Sequence, residues 1–187
     1  MNLQALFDGL LAATAFFIAF GPTRSGPALR LGCCLLGSAA VLGTLRFSGA
    51  LPMPQLHQYF SMLGAGVGLP LLAIAATQPT SAVASQIRFA WIFAVIAAVV
   101  CTLLIYVAQF KLWTSICAIA AALALLAYGA MRKQLLLASA GLLMLLTLLA
   151  FAAKVQAGSM QPGDILHMGL TLTLALLGRW TYVARAS

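Results

Sequence analysis

The chain has 187 residues, of which 64% are hydrophobic and 6% charged, and its mean hydropathy is +1.08. Soluble domains carry roughly 25% charged residues, so this composition excludes a soluble globular domain and points to an integral membrane protein. The net charge of +8 does not mark a nucleic-acid binder, because the basic residues stand singly at the ends of apolar segments, as topology determinants do.

A helix that crosses a bilayer needs about 20 mostly apolar residues, and seven stretches qualify: approximately 3–21, 27–46, 54–77, 86–109, 111–129, 133–154 and 162–183. The expected fold is all-α, a single seven-helix transmembrane domain over 1–187 with short loops. The first stretch contains Asp8, lacks a basic leader and has full spanning length, so it reads as a retained span rather than a signal peptide. Gly21-Pro22 with Ser25-Gly26-Pro27 makes the first turn, Ser48-Gly49 with Pro52 and Pro54 the second, and Gln78-Pro79-Thr80-Ser81 the third. The fourth connection, Gln109-Phe110-Lys111, is so short that spans four and five are expected to form a tight antiparallel hairpin. Met131-Arg132-Lys133 and Gly158 to Gly163 supply the last two turns. The Ala/Leu runs at 118–127 and 135–151 read as lipid-facing or bundle-filling helix. Trp113, Trp180 and Tyr182 fall near span ends, where aromatic residues anchor helices at the interface, and Trp91 lies about one turn inside its span. Cys33, Cys34, Cys101 and Cys117 lie inside spans without a C-x-x-C pair and read as small packing residues.

Seven spans place Arg24, Arg30, Arg88, Arg132, Lys133, Arg179 and Arg185 on one side and Arg46, Lys111 and Lys154 on the other. The positive-inside rule then sets the N-terminus outside and the C-terminus in the cytoplasm. A bacterial inner membrane is the expected location.

Against this background the acidic and histidine residues stand out. There are two Asp, no Glu and two His: Asp8, His57, Asp164 and His167. Ionisable groups at membrane depth are costly, face the bundle interior and are functional candidates by default. Asp8, His57 and the Asp164/His167 pair lie early in spans one, three and seven, which run in the same direction. All four therefore sit near one membrane face, within roughly two turns of depth at 1.5 Å per residue. Each tops a stripe of small or polar residues: Asp8, Ala12, Ala15, Ala19; His57, Ser61, Gly64, Gly68; and Asp164, His167, Thr171, Gly178.

Such a set supports three chemistries. Asp8, His57 and His167 would supply an open metal site, with zinc as the candidate ion. An Asp–His pair would act as general acid and base, with Ser61 or Thr171 beside it. Asp164 would orient His167 from three residues away or cap its helix. The candidate catalytic residues are thus Asp8, His57, Ser61, Asp164 and His167. His57 and His167 could also be axial ligands of a haem b, whereas a retinal pigment is disfavoured because the last span has no Lys.

Seven short-looped spans, an early-span acid, the His57-Gln58-Tyr59-Phe60-Ser61 pair and Asp164-Ile165-Leu166-His167 in the last span resemble the CREST superfamily of alkaline ceramidases, progestin and adiponectin receptors and haemolysin-III-like proteins. The resemblance implies zinc-dependent hydrolysis of a lipid amide or ester, with metal on three His and Ser and Asp nearby. The chain departs from that pattern. It has two His in all, it reads His167-Met168-Gly169-Leu170-Thr171 where the family has His-x-x-x-His, and its Ser/His order in span three is reversed. The expected partner is membrane lipid, and the alternative to an enzyme is a sensor, lipid receptor or accessory subunit using the same pocket, with a protein partner possible in that case.

Overall fold

The computed structural model describes residues 2–21 and 26–183. The first turn at Pro22 and Ser25, and the charges of Arg24 and Arg185, lie outside the described residues. The helices are α1 (Leu3–Phe20), α2 (Pro27–Phe47), α3 (Pro54–Leu63), α4 (Leu69–Thr77), the short α5 (Ala82–Ser85), α6 (Ile87–Thr102), α7 (Trp113–Met131), α8 (Leu135–Ala152) and α9 (Pro162–Val183). No strand is present among the described residues; one isolated bridge joins Ala157 and Met160 in the last loop.

Two π turns extend these helices. Gly64–Gly68 joins α3 to α4, and Leu103–Val107 continues α6. The first has a clear cause. Pro70 has no N–H to bond the carbonyl four residues back, and its ring crowds that carbonyl. The backbone widens instead, and the N–H of Leu69 reaches Gly64, five residues back.

Among the described residues six helices are long and apolar enough to cross a membrane: Leu3–Phe20, Pro27–Phe47, Pro54–Thr77, Ile87–Val107, Trp113–Met131 and Leu135–Ala152. The expected seventh, α9, has 22 residues but falls outside this set. Asp164, His167, Arg179 and three threonines along its length dilute its hydropathy.

Six walls close into a ring in the order α1, α2, α4, α7, α8, α9 and back to α1, and α6 flanks it from outside against α5, α2 and the first π turn. Lipid tails are as apolar as leucine, so helices here associate by close packing over small residues. Ala12, Ala15 and Ala19 are buried along α1 beneath Asp8. Gly37 receives the ring of Phe16, and Gly141 sits against the α7 backbone at Leu126. At the crossing of α2 with the π turn, a methyl on Gly32 would lie 2.8 Å from the Gly68 carbonyl.

The hairpin expected between spans four and five does not form. The π turn and α4 pack on α7, and Gly66 lies between Cys101 of α6 and Thr114 of α7, so the third span wedges the two apart despite their short connection. What α6 shows to the outside is correspondingly apolar, with Phe89, Trp91, Val95, Ile96 and Val99 all exposed. Trp180, expected as an interfacial anchor, donates its indole N–H to Gln134 at 3.1 Å.

Gly32→Leu should force α2 off the π turn and destabilise the fold by ~1–3 kcal/mol, the usual cost of overpacking. Thermal unfolding in detergent would register this as a lowered midpoint; an unchanged midpoint would contradict the close approach.

Candidate functional site

The N-terminal ends of α1, α3 and α9 meet the C-terminal end of α2. Asn2 caps α1 by accepting from the N–H of Gln4, and its amide donates to the Phe47 carbonyl at 3.0 Å, tying the start of α1 to the end of α2. This places Asp8, nearly two turns farther in, against the last turns of α2, where it is fully buried.

Its partners come from three other helices. His167 Nδ1 lies 2.7 Å from Asp8 Oδ1. At Gly43 on α2, the space a side chain would fill is bordered by Asp8 Oδ2 and by His57 Nε2, the latter 2.9 Å from where a Cβ would stand. The glycine therefore lets the carboxylate and the second imidazole close on each other. His57 Nδ1 is 3.2 Å from a guanidinium nitrogen of Arg46, one turn beyond Gly43. Arg has only donors, so Nδ1 accepts, and the proton of a neutral His57 stands on Nε2, facing Asp8. Phe47 completes the set, meeting the His57 ring edge-on and lying under the Arg46 guanidinium, 5.1 Å from ring centre to charge.

The result is a chain of polar groups: Arg46, His57, Asp8, His167. His167 meets one oxygen of the buried carboxylate, while Oδ2, on the Gly43 side with His57, has no hydrogen-bond partner among the described residues. Asp8, His57, Ser61, Leu148, Leu166 and His167 line a small pocket of about 100 Å³ inside the ring. His57, Ser61, Ala65, Leu166 and His167 also line a wider groove of about 700 Å³ that reaches Phe47, Tyr106, Lys111 and Phe151.

Not every expected residue joins. Asp164 is buried, but its carboxylate turns back to accept from the N–H of Gln161 at 2.8 Å, closing the first turn of its own helix, and it lines neither cavity. Ser61 stands on the groove wall, yet its hydroxyl donates to the His57 carbonyl at 2.8 Å rather than to an imidazole. Thr171 is bonded in the same way to the His167 carbonyl. Neither is set as a nucleophile activated by a base.

The zinc set fares no better. Asp8, His57 and His167 do converge, but among the described residues no three His, Cys, Asp or Glu are disposed to hold a metal ion. The imidazole of His167 points its Nδ1 at Asp8, and His57 points one nitrogen at Arg46 and the other at Asp8 and the Gly43 backbone. Comparison with protein-family models, curated proteins and solved structures finds no match.

Sequence reasoning passed over Gly43, Arg46 and Phe47. The signal was present: a glycine followed three residues later by a basic residue, on one face of α2. A basic residue at a span end, Arg46 has a sufficient explanation in topology.

Imidazole ¹⁵N spectra of the histidine-labelled protein should show His57 with its proton on Nε2. Arg46→Leu should release that preference, while Arg46→Lys, which retains a donor, should keep much of it. A His57 that carries its proton on Nδ1 in the unaltered protein would contradict the arrangement.

Proposed function

We propose that the site is a general-base centre for hydrolysis of a lipid amide or ester within a seven-span membrane bundle, on the outer membrane face. The observation that carries this reading is the Asp8–His167 contact of 2.7 Å at the floor of an open groove. A buried carboxylate on one imidazole nitrogen fixes the tautomer and orientation of the ring, leaving Nε2 as the basic atom. In the proposed reaction, His167 Nε2 takes a proton from water as the water oxygen attacks the substrate carbonyl. It then returns that proton to the departing amine or alcohol as the scissile bond breaks. His57 and Arg46 hold the far side of Asp8, so the carboxylate stays in place while His167 gains and loses its proton.

Location follows from charge. The basic residues at the site end are Arg46, Lys111 and Lys154, the smaller of the two sets, which the positive-inside rule puts outside. In this reading α9 is the seventh crossing, its polar stripe tolerated because it packs on α1 and α8. The resemblance to the CREST superfamily agrees in substrate class but not in mechanism: with two histidines, both engaged by protein groups, no step is routed through a metal.

A second reading, a lipid receptor or sensor without turnover, is favoured by the back-bonded hydroxyl of Ser61, which is not set as a nucleophile beside either imidazole.

Full-length protein in detergent should hydrolyse a fluorogenic lipid amide or ester. His167→Ala should lower turnover by about 10²-fold or more, in the range expected for loss of a general base, and Asp8→Asn should do comparable damage. Ser61→Ala should retain most activity. Turnover that survives His167→Ala would contradict the enzyme reading, and binding of lipid without any turnover would leave the receptor.

A further inference from the structure

The groove carries a charge that the proposed chemistry does not use. Among its lining residues the one permanent charge is Lys111, in the connection between α6 and α7, and no acidic side chain lines it. Both acids at this end of the molecule are buried: Asp8 is paired with His167, and Asp164 caps its own helix. The exposed face around the entrance is therefore one-signed, with Lys111 at its rim.

Below that rim the wall is apolar. Met62 and Ala65 come from α3 and the first π turn, Ile105 from the second π turn, Phe151 from the end of α8 and Leu166 from α9. Gln4, Gln58, Tyr106 and Thr114 add neutral hydrogen-bonding groups. At about 700 Å³ the groove falls within the ~300–1,000 Å³ of pockets that bury one small ligand. A cation at the mouth, an apolar wall and a pair of imidazoles at the floor form a sequence of environments matched by an amphiphile.

We propose that the groove takes an amphiphile with an anionic head group and one hydrocarbon chain, its head paired with Lys111 and its chain along Met62, Ile105, Phe151 and Leu166. This deepens the reading of the site as lipid-directed and rests on it for the groove being the way in, though not on hydrolysis. A carboxylate or a phosphate would satisfy Lys111 equally well as a point charge, so a free fatty acid and a lysophospholipid share the required chemistry.

Equilibrium binding to the full-length protein in neutral detergent tests this, with oleate, oleoyl lysophosphatidylglycerol and uncharged mono-olein each competing against a fluorescent fatty acid. At least one anionic ligand should bind about tenfold more tightly than mono-olein, the scale of one charge-assisted hydrogen bond. Lys111→Gln should erase that gap and Lys111→Arg preserve it. Oleate ahead of the lysophospholipid would identify a carboxylate, and the reverse order a phosphate. Equal affinity for charged and neutral ligands, or a preference that survives Lys111→Gln, would overturn the proposal. His167→Ala should keep the anionic preference, so turnover that survives this variant with the preference intact would count against the catalytic reading alone.

Discussion

The arrangement depends on one buried carboxylate. Asp8 has no exposure, and a carboxylate in such a place is strongly unfavourable unless its oxygens find donors. Here His167 meets one oxygen at 2.7 Å, and His57, steadied by a guanidinium, stands beside the other at Gly43. Each helix that contributes must approach to within side-chain reach of α1. Gly43 makes this possible on α2, and the stripe of alanines below Asp8 allows the neighbours of α1 to pack closely. Polar satisfaction and close packing thus impose the same geometry at this end of the bundle.

That geometry also separates residues that look alike in the sequence. Asp8 and Asp164 are both buried acids early in a helix, but Asp164 stands in the first turn, where the nearest donor is the N–H of Gln161. Asp8 stands a turn farther in, where its helix has no spare N–H, and so it must look to other helices. Ser61 and Thr171 likewise lie four residues after a histidine, in the position where a hydroxyl bonds back to the carbonyl of the preceding turn. Spacing that puts a hydroxyl on the same face as a histidine therefore also binds it to the backbone of that histidine.

Much of the fold was legible from hydropathy and turn chemistry: an all-helical chain, six of the spans and the shared end of the bundle at which Asp8, His57 and His167 meet follow from length and direction alone. Less legible was which helices touch. The third span parts the fourth from the fifth because Pro70 and the glycines before it widen the helix into a π turn that packs on both sides. No periodicity announces that. The role of Arg46 was hidden for a different reason, since a basic residue at a span end has a sufficient explanation in topology. Its second role appears only once His57 is placed beside it.

The contact among Asp8, His57 and Gly43 is tested most directly by adding one methyl group. Gly43→Ala would place a carbon against both Asp8 and His57, whereas at Gly9, next to Asp8 in the chain, the nearest atom to an added Cβ is Thr44 Oγ1 at an ordinary 3.8 Å. Thermal unfolding of the two variants side by side should show Gly43→Ala destabilised by ~1–3 kcal/mol, as overpacking predicts, and Gly9→Ala unchanged or slightly stabilised, as expected for alanine in a helix. Equal stability of the two variants would contradict a carboxylate held between imidazoles at the end of α2.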